Sequence, residues 1–202
     1  MKLDENIYLI DGTMANCYFV QYSGRNILID AGMKGSAKKI ISFFREFGTK
    51  PDIVLITHTH VDHIGGLRDI QETFNPDIYV PDREVNVARG TERVPSAGGF
   101  ASMIGGLSKP RPVERVIPLS EMRMEGLTIV DTPGHTPGSS SFHLPSLNAL
   151  FVGDALQERN GRYEFNKSFT LDPEKARESL KKILEMHGVV AYPGHGKRFV
   201  IP

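Results

Sequence analysis

The chain is poor in several features that often decide a protein's class at first sight. Its 202 residues include one cysteine and no tryptophan, and basic and acidic residues number 24 each, so the formal net charge is zero. The single cysteine, Cys17, cannot form an intramolecular disulfide, and a structural zinc site made of four thiolates is excluded. Balanced charge removes the electrostatic argument for nucleic acid or an anionic membrane as a partner.

Long apolar runs and a secretion signal are also missing. No segment approaches the roughly 18 consecutive apolar residues that suggest a membrane span. The amino terminus, Met1-Lys-Leu-Asp-Glu-Asn6, has acidic residues where a signal peptide requires positive charge. We therefore expect a cytoplasmic protein that acts on a small molecule, with one domain covering residues 1–202.

The order of apolar patterns along the chain predicts the fold class. Short runs rich in β-branched residues predict strands, and apolar residues at helical spacing predict helices between them. Strands are predicted near 7–10, 17–22, 26–29, 53–57, 78–80, 127–131, 140–144, 148–152 and 189–192, and helices near 37–47, 64–73 and 173–187. This order indicates an α/β protein with mixed sheets packed face to face and helices outside them.

Residues 81–115 differ from the rest, because they are rich in glycine and have only weak periodicity. Their central apolar residues are Phe100, Met103, Ile104 and Leu107. We predict a pocket wall or a lid here, with a surface connection that has no function as the alternative. The same apolar residues would also suit a homodimer contact.

The most informative stretch is His58-Thr-His-Val-Asp-His63, which follows the strand predicted at 53–57. Four of its six side chains can bind a metal. Three imidazoles and a carboxylate at the end of a buried strand would be costly to bury unless something coordinated them. The stretch therefore predicts a metal centre on a strand-to-helix turn.

Three further candidate ligands follow other predicted strands in glycine-containing turns. They are His135 in Pro133-Gly-His135, Asp154 in Gly153-Asp154, and His195 in Gly194-His-Gly196. Strand ends gather along one edge of such sheets, where ligands usually bind. Imidazole and carboxylate donors without thiolate suit zinc, iron or manganese. Seven ligands exceed the four of a closed structural site and fit two ions that share a bridging group.

Taken together, His-x-His-x-Asp-His, Gly-His-Thr-x-Gly-Ser, Gly-Asp and Gly-His-Gly resemble the metallo-β-lactamase superfamily over nearly the whole chain. The resemblance implies a four-layer αβ/βα sandwich, in which two mixed β-sheets carry helices on their outer faces. It implies a first metal site of His58, His60 and His135, and a second of Asp62, His63 and His195. Asp154 is implied to bridge the two ions, and Asp30 in Ile29-Asp-Ala-Gly32 to hold a ligand imidazole in the right tautomer.

The resemblance also implies a mechanism, in which a hydroxide bridging two Zn²⁺ ions attacks a carbonyl carbon. Bound zinc lowers the pKa of its water to about 7, so hydroxide is available at neutral pH. Asp62 and Asp154 are the implied catalytic carboxylates, which orient the water or move its proton. Iron or manganese is the alternative to zinc.

Several branches of the superfamily fit the chain poorly. His60 stands where the diiron reductases have glutamate, zinc β-lactamases usually have cysteine at the place of Asp154, and the neutral charge gives no footprint for RNA. The glyoxalase II-like hydrolases remain. Because the sequence ends at Pro202, without their helical C-terminal domain, we expect an ester, thioester or lactone substrate rather than hydroxyacylglutathione.

Two other functions stay open at this point. A persulfide dioxygenase-like enzyme would use one iron held by His58, His135 and Asp154, a set that suits an oxygen-activating iron. A metal-binding module without catalysis is the third hypothesis. The remaining histidines, His143 on a strand and His187 in the last turn of the helix at 173–187, are predicted to be structural or exposed.

Overall fold

The computed structural model describes residues 1–95 and 110–202. The central part of the predicted pocket-wall or lid segment, residues 96–109 with Phe100, Met103, Ile104 and Leu107, lies outside the described residues. The first sheet has seven strands that follow one another in chain order: β1 (Lys2–Asp4), β2 (Ile7–Ile10), β3 (Cys17–Tyr22), β4 (Arg25–Ile29), β5 (Ile53–Leu55), β6 (Asp77–Val80) and β7 (Ile117–Pro118).

The second sheet is built from the carboxyl-terminal half of the chain. Its strands are β8 (Thr128–Asp131), β9 (Ser140–Leu144), β10 (Ala149–Gly153), β13 (Val190–Pro193) and β14 (Phe199–Val200), in the spatial order β14-β13-β10-β9-β8. A separate hairpin consists of β11 (Gln157–Arg159) and β12 (Arg162–Glu164). Both larger sheets are mixed, because β4, β5, β6 and β7 pair in parallel, as do β10 and β13.

Helices cover the outer faces of the two sheets. In the described ranges they are α1 (Ala37–Phe47), α2 (Val61–Ile64), α3 (Leu67–Phe74), α4 (Val85–Ala88) and α5 (Pro173–Leu184). The helix α1 ends at Gly48 in a left-handed conformation, and Asp172 caps α5 by accepting hydrogen bonds from the backbone N–H of Glu174 and Lys175. None of these helices is both long and apolar enough to cross a membrane.

Alternation along the strands produces four layers. In β3, Phe19 packs with α1, whereas Tyr18 and Val20 face the second sheet. In β10, Phe151 joins the core between the sheets, whereas Leu150 and Val152 pack with Ile183 of α5. Because side chains point to opposite faces with period two, each sheet is buried on both sides. The predicted four-layer αβ/βα sandwich is confirmed.

Two predicted details of the helices are wrong. The helix predicted at 64–73 is interrupted at Gly65-Gly66, so His63 lies within α2 and a second helix, α3, follows. At the interruption the Gly66 N–H donates to the Gly32 carbonyl oxygen at 3.1 Å instead of to the preceding turn of α2, and a Cβ on Gly66 would lie 2.4 Å from the Ala31 carbonyl oxygen. The helix predicted at 173–187 ends at Leu184, and His187 beyond it contacts the carbonyl oxygen of Pro202 through Nδ1.

The topology brings the candidate ligands to one edge. β8 and β10 each pair antiparallel with β9, and β10 pairs parallel with β13, so all three run in the same direction. Their carboxyl ends precede His135, Asp154 and His195. β4 and β5 likewise run in parallel and precede Asp30 and His58. The two edges are joined where the Ser140 N–H donates to the Thr57 carbonyl oxygen at 2.9 Å.

Candidate metal centre

The three histidines predicted for the first metal site lie together. His58, His60 and His135 each offer a ring nitrogen, and these nitrogens lie within 4.8 Å of one another. His135 Nε2 is 2.8 Å from His60 Nδ1. His58 and His135 are 1% exposed, so this group is nearly closed to solvent.

The residues predicted for the second site form a neighbouring group. Asp62, His63 and His195 also offer atoms within 4.8 Å of one another, and Asp62 Oδ2 is 3.1 Å from His195 Nε2. Asp154 lies between the two groups. Its Oδ1 is 3.3 Å from His63 Nε2, and its Oδ2 is 3.5 Å from Nε2 of both His135 and His195.

Three buried atoms of these groups make no hydrogen bond with the described residues: His58 Nε2, His63 Nε2 and Asp154 Oδ1. A buried polar atom without a partner costs free energy. All three are good ligand atoms for a divalent cation, and they belong to a group of two imidazoles and a carboxylate within 4.8 Å. The donor set therefore fits a metal.

Asp30 explains how two of these imidazoles are oriented. Its Oδ2 lies 2.7 Å from His63 Nδ1 and accepts a hydrogen bond from Thr57 Oγ1 at 2.8 Å. Because the Thr57 hydroxyl donates to Asp30, its oxygen can accept a hydrogen bond from His58 Nδ1–H, with 3.1 Å between the heavy atoms. Both rings then carry hydrogen on Nδ1, and both leave Nε2 free for a metal.

The backbone is specialised to place that carboxylate. Asp30 is 2% exposed and has a φ of 59°, in the left-handed region that few non-glycine residues adopt. The Thr57 N–H donates to its Oδ1 at 2.8 Å. These contacts place Asp30 as the resemblance implies, and its role toward a bound ion stays a prediction.

The two groups differ in charge. Burial lowers the pKa of His58 and His60, and it lowers the pKa of His135 to about 3, so the rings of the first group are neutral at pH 7 and ready to bind a cation. Burial opposes protonation of His63 and His195, but the neighbouring carboxylates outweigh it and raise the pKa of both rings. An ion in the second group therefore has to displace protons from these two rings.

Gly194 shows how closely the backbone approaches the centre. A Cβ at this position would lie 2.3 Å from Asp154 Oδ1 and 2.7 Å from His63 Cε1, closer than any atoms can approach without displacement. A methyl group here would therefore push apart atoms from both predicted sites, although it adds little volume.

We expect Gly194→Ala to weaken Zn²⁺ binding about 10- to 100-fold, the range for changes that displace metal ligands indirectly, while the chain stays folded. Competition with a chromogenic chelator measures the affinity. Gly35→Ala is the matched control, because nothing lies within 4 Å of its added Cβ. Unchanged affinity in Gly194→Ala would contradict the predicted ligand geometry.

Two residues near the site had no recognisable signal in the sequence. The Asn16 side-chain amide donates to the carbonyl oxygens of Pro193 and Gly196, both at 2.9 Å, and so holds the loop that carries His195. Glu84 is 1% exposed and contacts the loops that carry His58, His60 and His135. Both act across the fold, on residues far away in the chain.

A cavity of about 520 Å³ opens beside the His135 loop. Pro133 and Pro137, which flank His135, line it together with Asp82 and Arg83 from the described part of the predicted pocket-wall segment. Lys175 and Asp131 add further charge. The described lining mixes apolar and charged side chains, and it adjoins the His135 loop without including any of the seven candidate ligands.

Comparison with known proteins agrees with this geometry. Residues 10–195 match the family described as the metallo-beta-lactamase superfamily. A protein of Methanocaldococcus jannaschii named a probable metallo-hydrolase is 31% identical over 92% of this chain and 89% of its own length. A hydroxyacylglutathione hydrolase of Mesorhizobium japonicum is 27% identical over 86% of this chain and 58% of its own. The crystal structure of TTHA1623 in a di-iron-bound form is 28% identical, covers 96% of this chain and 94% of its own, and has a TM-score of 0.77.

Proposed function

The chain belongs to the metallo-β-lactamase superfamily, and from this membership we propose that it is a hydrolase that uses two zinc ions to cleave a small ester, thioester or lactone. The observation that carries the proposal is the position of Asp154. Its two oxygens lie 3.3–3.5 Å from His63, His135 and His195, so one carboxylate can serve both groups of ligands. Relatives named metallo-hydrolases support hydrolysis in general.

Bound zinc would supply a water of lowered pKa and an electrophile for the carbonyl oxygen. The chain's own residues have other tasks. Asp30 and Thr57 fix the tautomers of His63 and His58, and the Asn16 side chain holds the loop of His195. Asp62 is 23% exposed on its side chain. Burial opposes its ionisation, but the neighbouring imidazoles outweigh it and bring its pKa to about 2, so it can accept a proton from an attacking water.

A small substrate is proposed because the cavity beside the His135 loop, at about 520 Å³, has the volume of a small-molecule site. Ser139, Ser140 and Gly138 form one wall of it, and Arg83 and Lys175 provide positive charge. An acyl compound with a carboxylate or another anionic group would complement those two side chains. The proposal includes no nucleic acid and no membrane as partner.

The test is a substrate panel of thioesters, lactones and phosphodiesters, assayed with the zinc-loaded protein. We expect turnover in the acyl substrates, loss of that turnover to the level of buffer after chelation, and recovery on addition of Zn²⁺. Metal analysis should find about two zinc ions per chain. Activity that survives complete removal of metal would contradict the proposal.

Iron chemistry is the second candidate, and one observation favours it. His58, His63 and Asp154 form a group of two histidines and one carboxylate within 4.8 Å. This donor set is typical of oxygen-activating iron. It differs from the set predicted from the sequence, which has His135 in place of His63. TTHA1623 is described in a di-iron-bound form. One iron per chain together with oxygen uptake on a persulfide substrate would favour this candidate over hydrolysis.

A further inference from the structure

Glu84 is a buried carboxylate that the proposed chemistry does not use. It lies at the end of a short 3-10 helix, Asp82–Glu84, directly before α4, and it is 1% exposed. Burying a carboxylate is costly unless several donors compensate for the lost water. A carboxylate in this position therefore needs a structural explanation.

Its hydrogen bonds connect two loops of the metal centre. Glu84 Oε2 accepts from the N–H and the hydroxyl of Thr59, both at 2.7 Å, and Oε1 accepts from the Gly138 N–H at 2.8 Å. Thr59 lies between His58 and His60, and Gly138 lies three residues after His135. One carboxylate thus links all three histidines of the first group.

The packing around Glu84 leaves little freedom for this link to shift. A Cβ added to Gly138 would lie 2.9 Å from Glu84 Cγ and 3.0 Å from Glu84 Oε1. The absence of a side chain at Gly138 lets the His135 loop approach the carboxylate closely enough for the 2.8 Å hydrogen bond. The link therefore depends on the length of Glu84 as well as on its charge.

We infer that Glu84 is a positioning residue that holds the loops of His58, His60 and His135 at the separation required for one metal ion. The inference rests on the proposed function, since it assumes that these histidines bind a metal. It extends that function by assigning Glu84 to one ion of the pair. In the described part of the chain, Glu84 forms no hydrogen bond or ion pair with Asp62, His63 or His195.

The charge of Glu84 also strengthens this link. Three donors, the Thr59 N–H, the Thr59 hydroxyl and the Gly138 N–H, point at its two oxygens. Hydrogen bonds to an ionised carboxylate are stronger than those to a neutral group. Glu84 thus holds the two loops by its length and by its charge.

Two variants separate these contributions. Glu84→Gln keeps the length but removes the charge, and its amide NH₂ cannot accept the hydrogen bond that Oε1 or Oε2 accepts. Glu84→Asp keeps the charge, but it is one methylene too short to reach both Thr59 and Gly138. Loss in both variants indicates that charge and length are needed together, as the inference requires.

The experiment isolates each metal group. In a His195→Ala background the group of His58, His60 and His135 remains complete, and in a His60→Ala background the group of Asp62, His63 and His195 remains complete. Zn²⁺ affinity is measured by chelator competition in each background. In the His195→Ala background we expect the Glu84 variants to weaken Zn²⁺ binding about 10- to 100-fold. In the His60→Ala background we expect a change of less than about twofold, the size of the deviation from additivity between independent sites.

The control is Gln71→Leu, which removes a different buried polar link, a hydrogen bond from the Gln71 side chain to the Arg115 carbonyl oxygen. Thermal unfolding of the metal-free variants shows whether a loss of affinity follows a loss of stability. Equal weakening in both backgrounds, or weakening in Gln71→Leu of the same size, would overturn the inference. The inference is also overturned if both Glu84 variants bind Zn²⁺ with the affinity of the parent chain. If the parent chain and both single-group backgrounds, all with Glu84 intact, bind no Zn²⁺, the proposed function itself is overturned.

Discussion

Asp154→Ala is expected to lower the affinity of both histidine groups for zinc and to reduce turnover by about 10²- to 10⁴-fold. Removal of one acid–base or electrostatic group from an active site usually reduces the rate by this much. The reason is its position. Its oxygens lie 3.3 Å from His63 Nε2 and 3.5 Å from His135 Nε2, so its removal deprives both groups of their shared negative charge. No other described carboxylate lies within 4 Å of both His63 and His135.

Metal analysis and chelator competition on the purified variant check this expectation, and turnover is measured on the best substrate of the panel. Asp77→Ala is the matched control, since Asp77 is an exposed carboxylate at the start of β6. Circular dichroism establishes that both variants fold. Two zinc ions bound to Asp154→Ala with the affinity of the parent chain would contradict a bridging role.

The convergence of the seven candidate ligands was predictable because it follows from strand direction. Each ligand follows a strand, and β8, β10 and β13 end at the same edge of one sheet as β4 and β5 do in the other. A pattern that locates strand ends therefore locates the ligands as well. The four-layer fold was predictable for a related reason, because continuous apolar strands such as Ile53–Leu55 must be covered on both faces.

The residues that support the ligands could not be predicted from the pattern. Glu84 contacts Thr59 and Gly138, which are 25 and 54 residues away in the chain, and Asn16 contacts Pro193 and Gly196 across 177 and 180 residues. A glutamate in a glycine-rich segment resembles any surface acid until its neighbours in space are known. Residues 81–115 carry no sequence motif, although Glu84 within them bonds to two loops of the centre.

Local interruptions were missed for a similar reason. Helical spacing predicts one helix at 64–73, but the Gly66 N–H donates to the Gly32 carbonyl oxygen instead of continuing α2, and the helix divides there. The division matters for the site. It places His63 on its own short helix, α2, where its carbonyl oxygen accepts a hydrogen bond from the Ala31 N–H at 2.7 Å, directly after Asp30.

Asp62→Asn should reduce turnover about 10²- to 10⁴-fold, the usual contribution of a positioned acid or base, and should leave zinc bound to the group of His58, His60 and His135. Asparagine has nearly the same shape, but it is neutral and a poor proton acceptor. Asp62 is the more exposed of the two central carboxylates, with 23% of its side chain accessible against 10% for Asp154. A water that reaches the centre therefore meets Asp62 more easily.

The result depends on separating catalysis from metal binding, because Asp62 Oδ2 also lies 3.1 Å from His195 Nε2. Turnover is therefore measured at saturating Zn²⁺, with the bound metal counted in the same sample. His143→Ala serves as the control, since His143 lies on β9 away from both groups, and it should keep full turnover. If Asp62→Asn retains the parent rate with both ions bound, Asp62 does not move the proton, and Asp154 becomes the remaining carboxylate that contacts both groups of ligands.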